Sequence, residues 1–131
     1  MSLIEYALVA AALLCGLVAG LVFCFAVVVM PGIRTLDDRE FLRSFKAMDR
    51  VIQDTSPLFV LVWLGSALVL LGTTVLAFWH LEGCALLLVV VACAAYLGGV
   101  QFPTFTINIP LNNRVQSLDL DSLSEEELHQ E

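Results

Sequence analysis

Residues 101–114 read QFPTFTINIPLNNR. The stretch closes the third of three long apolar runs and sets amides and hydroxyls where hydrocarbon gives way to water. At 100° per residue, Gln101, Thr104, Asn108 and Asn112 share one narrow arc of a helix, with Pro103 and Pro110 on the opposite side. Each proline removes a helical hydrogen bond, freeing here the carbonyls of Gly99 and Thr106. Broken backbone at membrane depth persists where protein or a wet cavity supplies partners. Two readings stay open. The stripe is a functional site, or Asn108 and Asn112 sit at headgroup level and cap a helix end.

Working outward, lipid is the solvent that this chain requires. Its 131 residues are 60% hydrophobic with a mean hydropathy of +0.91, against about 45–50% apolar content in soluble domains. Charge is confined to 15% of positions and is absent from Tyr6–Met30, Pro57–Trp79 and Gly83–Asn113. Each run exceeds the ~20 residues that cross a ~30 Å hydrocarbon core. The first run has no basic leader and is too long for a signal-peptide core, so it reads as a span. The expected architecture is all-α: one membrane domain over 1–131, with spans at about 6–30, 57–79 and 84–108. An amphipathic interfacial helix at about 36–53 and an acidic tail at 115–131 complete it.

The net charge of −7 hides an ordered distribution. All Lys and Arg lie at Arg34, Arg39, Arg43, Lys46, Arg50 and Arg114, on the loop after the first span or just after the third. Basic residues near span ends stay cytoplasmic. The N-terminus and the His80–Glu82 turn are therefore expected outside, and the loop and tail in the cytoplasm. In the loop helix Phe41, Leu42, Phe45, Met48 and Ile52 recur at helical spacing, so it lies in the interface or caps the inner mouth of the bundle. Thr35 is the expected cap of this helix. Acids and bases balance there, which excludes a nucleic-acid surface.

Packing signals are plentiful. Ala12, Gly16, Gly20 and Cys24 place a small residue at every fourth position, and Ala92, Ala95 and Gly99 answer in the third span; these strips predict contact between the two spans. Gly16 and Gly20 also offer a homo-oligomer face. Ser56-Pro57 is a helix start, and Trp63 and Trp79, roughly 24 Å apart along a helix, suit the two interfaces. Tyr96 lies deep and needs a partner for its hydroxyl. The cysteines Cys15, Cys24, Cys84 and Cys93 form no CxxC and read as packing residues, with Cys15 and Cys93 at similar depth. His80, Glu82 and Glu5 share one side and could cluster. Ser124 and Glu127 form a capping box, a helix start that points to a further segment.

Catalytic signatures are sparse. No phosphate loop, nucleophile elbow or zinc spacing occurs, and no charge inside a span suggests ion coupling. Met30-Pro31-Gly32 after a glycine-rich span, then an amphipathic helix, then Asn108-Ile109-Pro110-Leu111-Asn112-Asn113-Arg114, resembles the anthrone oxygenase-like family of small membrane proteins. Most bacterial members of that family have no known function. The resemblance implies a bundle of four spans, here lacking its last, in a bacterial inner membrane. It also implies oxidation of a lipophilic aromatic, an anthrone, by dioxygen with no metal or organic cofactor. On that reading Asn108 and Asn112 donate to the substrate oxygen, Gln101 assists, and Arg114 or Arg34 supplies positive charge at the inner rim. No general base is visible in the sequence. The alternatives are a non-catalytic module that packs against partner helices, and an oligomeric path for solutes.

Overall fold

The structure, a computed structural model, describes residues 1–130, and every element among them is helical. Three helices are long and apolar enough to cross a membrane: α1 (Leu3–Ile33), α3 (Pro57–His80) and α4 (Gly83–Ser117). Between the first two lies α2 (Asp38–Arg50), continued by a wide turn over Val51–Thr55, and a short α5 (Glu125–Gln130) ends the tail. The chain is a membrane protein. Helix starts follow local chemistry. The Ser56 hydroxyl accepts from the Phe59 amide ahead of Pro57, and Ser124 and Glu127 cap each other reciprocally. Asp37, not Thr35, caps α2, accepting from the Glu40 amide at 2.8 Å; the Thr35 hydroxyl turns back to the Gly32 carbonyl.

Prolines set the shape of the long helices. Wide i→i+5 turns occupy Phe25–Val29, Val51–Thr55, Leu97–Gln101 and Thr104–Asn108. Each ends two residues before one of the four prolines, Pro31, Pro57, Pro103 and Pro110. A proline ring collides with the carbonyl four residues earlier, and that carbonyl (Val27, Gln53, Gly99 or Thr106) is the midpoint of each turn. At Pro31, Pro103 and Pro110 widening the turn carries the carbonyl clear while the helix continues, so α4 runs past Asn108 to Ser117; at Pro57 the chain breaks at Ser56 and a new helix starts. Thr104 and Thr106 hydroxyls donate to the Val100 and Phe102 carbonyls, supplying bonds in the same region.

The seam between spans differs from the expected one. The first span packs chiefly against the second, through Ile4, Ala11 and Val18 on α1 and Ser66, Leu70, Thr73 and Ala77 on α3, all buried. These alternate at steps of three, four or seven residues, the spacing of a shallow left-handed crossing. Thr73 strengthens the seam by reaching the Ala7 carbonyl across it at 3.2 Å. Ala12, Gly16, Gly20 and Cys24 are exposed, as are Ala92 and Ala95, while Gly99 lines a cavity toward the α2 end. A side chain built at Gly16 or Gly20 would meet nothing within 4 Å. All three spans meet at Ala11, Leu70 and Cys93, toward the Leu81–Glu82 turn, with Cys15 and Tyr96 against the cluster. Here Cys15 and Cys93 are free thiols.

At the turn end, His80 Nδ1 bonds back to the Leu76 carbonyl and Glu5 is engaged by Ser2. The expected cluster of the two with Glu82 is not among the hydrogen bonds formed. At the other end α2 folds against the last turns of α4 and against the tail. Its Leu42 is buried with Leu120 and Leu128, so this part of its apolar face meets protein. The helix caps one end of the bundle.

Candidate functional site

Toward the α2 end the spans line a partly open cavity of about 790 Å³, a size that holds a drug-sized molecule. Its walls are apolar, with Phe25 and Met30 from α1, Phe59 and Trp63 from α3, and Val100 and Phe105 from α4. Its polar groups come from two regions: Asp49 and Gln53 from α2 and the turn after it, and Thr104, Asn108, Asn112 and Asn113 from α4. The stacked rings of Phe59 and Trp63, 5.3 Å between centroids, give one wall a flat aromatic surface.

Asp49 is the residue that sequence reasoning missed. It is 4% exposed, and acids are almost never so buried without partners. Asn112 Nδ2 donates to Oδ1 at 2.9 Å, while Gln53 Nε2 and Gln116 Nε2 donate to Oδ2 at 2.6 and 3.1 Å. Gln116 Nε2 also reaches the Lys46 carbonyl at 2.8 Å, tying α4 to α2. A carboxylate offers about four acceptor positions; amide donors take three of them, and Asp49 is part of the cavity lining. In the sequence Asp49 is one acid among several on a charged helix. The signal that marks it is its register, four residues after Phe45 and three before Ile52, on the apolar face.

The proposed polar stripe separates into two groups. Asn108 and Asn112 line the cavity with Thr104. Gln101 does not; it lies 6% exposed behind the Trp63 indole, in a closed ring of hydrogen bonds. Trp63 Nε1 donates to Gln101 Oε1 at 2.9 Å, and Gln101 Nε2 donates to Tyr96 Oη at 3.3 Å. The Tyr96 and Ser66 hydroxyls lie 2.6 Å apart, and Ser66 donates to the Trp63 carbonyl at 2.6 Å. With the serine proton committed, Tyr96 is the donor to Ser66. This ring gives Tyr96 the partner its depth requires. It also corrects the reading of Trp63, which is a half-buried wall of the cavity, whereas Trp79 is 73% exposed.

One physical reason separates Gln101 from the asparagines. A wide turn adds about one residue to a helical repeat and rotates the remainder of the helix by roughly 100°. The turn over Thr104–Asn108 intervenes, so a straight-helix projection fails across it. Arg34 and Arg114 are exposed and absent from the cavity wall. The Arg114 carbonyl accepts from Ser117 at the end of α4. Among the described residues no group of three His, Cys, Asp or Glu is gathered where it could hold a metal ion.

Fold and site together define a small multi-pass membrane protein with a ligand-sized cavity at one end of its bundle. The sequence model of the anthrone oxygenase family matches residues 41–131, and the chain belongs to that family. The matched region includes Asp49, Asn108 and Asn112; the α1 side of the cavity lies outside it. No curated protein and no solved structure matches the chain.

Proposed function

We propose that the protein oxidises a lipophilic aromatic of the anthrone type with dioxygen, with Asp49 as the general base. The single observation carrying this reading is a buried carboxylate, held by three amide donors, at the wall of an apolar cavity large enough for a fused-ring substrate. Family membership supports the reaction class. The α2 end faces the cytoplasm of a bacterial inner membrane on the strength of its basic residues.

The chemistry follows from placing a weak carbon acid there. Asp49 takes a proton from the ring methylene, and the electron pair spreads through the ring onto the carbonyl oxygen. The side-chain amide of Asn108 donates to that oxygen as charge develops, a contribution that grows where water is excluded. Asn112 orients Asp49. The anion gives an electron to dioxygen, the resulting pair forms a carbon–oxygen bond, and a proton completes the hydroperoxide. Loss of water then breaks the oxygen–oxygen bond and leaves the second carbonyl. One oxygen atom ends in the quinone and the other in water, so no outside reductant is consumed. The cavity walls keep the anion from protonation by solvent, and neither metal nor organic cofactor takes part.

The test is quinone formation from anthrone by purified protein in detergent. Wild type should accelerate it, Asp49→Asn should lose about 10²–10⁴-fold, and Asn108→Ala about 10²-fold. Acceleration retained in full by Asp49→Asn would remove the base assignment. A second reading, a non-catalytic module that packs on partner helices or on its own copy, is favoured by the open strip at Gly16 and Gly20. Retained turnover in both site variants together with lost assembly in Gly16→Leu would select it.

A further inference from the structure

The tail after α4 runs antiparallel along α2 and meets its basic residues one after another. Lys46 Nζ donates to the Leu118 carbonyl, and Arg43 pairs with Asp121. Arg39 donates to the Leu123 carbonyl at 2.7 Å and pairs with Glu125 at 3.4 Å. Asp38 meets His129 Nδ1 at 3.0 Å. Beneath these contacts Leu42 packs on Leu120 and Leu128. At steps of four, three and four, Arg39, Arg43, Lys46 and Arg50 form one stripe of α2, and the tail lays acids or carbonyls along most of it.

The location of this stripe matters. α2 links the ends of two spans, and the tail leaves the end of the third, so both lie on one side at the headgroup layer. Lipid phosphates there offer the same chemistry as the tail acids, oxyanions that accept from guanidinium and ammonium groups. The tail's polar hold is modest except at Arg39, whose side chain is 23% exposed. The Arg43 and Asp121 side chains are 54% and 78% exposed, and Glu125 is 73% exposed. An exposed pair is worth about a fivefold bias at most, and a cation beside an anionic leaflet gains about as much. For the cations alone tail and leaflet are matched competitors, while Leu120 and Leu128 keep the tail seated on Leu42 by apolar burial.

We infer that the basic stripe of α2 is a docking surface for an anionic lipid leaflet, with the acidic tail as its built-in competitor. In a neutral bilayer the tail covers the stripe. In an anionic one the phosphates take the cations and the tail loosens, opening more often around Leu120 and Leu128. The inference needs no catalytic activity and stands apart from the reaction proposed above.

Hydrogen exchange on the full chain in nanodiscs tests it, using phosphatidylcholine alone or mixed with phosphatidylglycerol. Amides of residues 118–130 should exchange about tenfold faster in the anionic discs, with those of α3 and α4 unchanged. Arg39→Gln with Arg43→Gln should abolish this dependence and leave the tail fast in both bilayers. Equal tail exchange in the two bilayers for wild type would overturn the proposal. So would a lipid response that survives in the double variant, or one shared by the spans.

Discussion

The two ends of the bundle are built on different rules. Toward the Leu81–Glu82 turn the helices are regular, and Ala11, Leu70 and Cys93 bring all three spans together. Toward α2 the first and third spans carry wide turns, and the three helices line a cavity with amides and a carboxylate in its wall. Prolines draw the line. Pro31, Pro103 and Pro110 all lie in the α2 half of their helices, where each forces a wide turn and re-aims the side chains around it. The regular half fixes where the spans stand, and the interrupted half shapes what lies between them.

The largest way to break this comparison is at Asp49. Asp49→Asn should abolish most turnover, about 10²–10⁴-fold, while thermal unfolding monitored at Trp79 shifts far less. Pro103→Ala comes next. With the ring gone the turn over Leu97–Gln101 can revert to α-helix, turning Asn108 away from the cavity; a misplacement of that kind costs about 10²-fold in rate. Ligand affinity measured alongside should fall too, because the wall itself moves. Ser66→Ala probes the border between the halves. It deprives Tyr96 of its acceptor and should cost about 1 kcal/mol in a denaturation series, with a smaller effect on rate.

Two smaller effects sharpen the contrast with regions outside the cavity. Glu127 is held below the usual carboxylate range by the Ser124 amide and hydroxyl. A folded-state value below the unfolded one stabilises α5 above the ordinary carboxylate range, and that contribution is lost as pH falls through the lowered value. The protection factor at Leu128, corrected for the intrinsic exchange rate, should fall on acidification below about pH 4.5, and Glu127→Gln should remove the dependence. Gly16→Leu is expected to do least to the monomer, within about 0.5 kcal/mol, because nothing stands within 4 Å of the added carbon. Cross-linking read in parallel would show any effect on association.

Much of the fold was legible in sequence because lipid imposes few solutions. Three uncharged runs of sufficient length must be helices, and Ser56-Pro57 and Ser124 with Glu127 mark starts through local bonds that need no tertiary context. The α1–α3 seam was not legible. Small residues line two faces of α1, Ala11 and Val18 on one and Gly16 and Gly20 on the other. The choice is supported by Thr73, far away in sequence, whose hydroxyl reaches the Ala7 carbonyl. Asn108 and Asn112 could be picked out as amides at the edge of hydrocarbon. Gln101 was misplaced because hydrogen-bond slippage at a proline adds a rotation that no fixed period contains. Asp49 was hidden for a different reason: on a helix full of charges, one acid stands out only by its position between Phe45 and Ile52.

The two tryptophans allow the central claim to be read directly, since Trp63 lines the cavity and Trp79 stands exposed at the other end. Titrating an anthraquinone, which absorbs where indole emits, into Trp79→Phe and Trp63→Phe proteins reports each end by itself. Saturable quenching of Trp63, with only weak, linear quenching of Trp79, is the predicted result. Equal quenching of the two, or stronger quenching of Trp79, would contradict a ligand site at the α2 end.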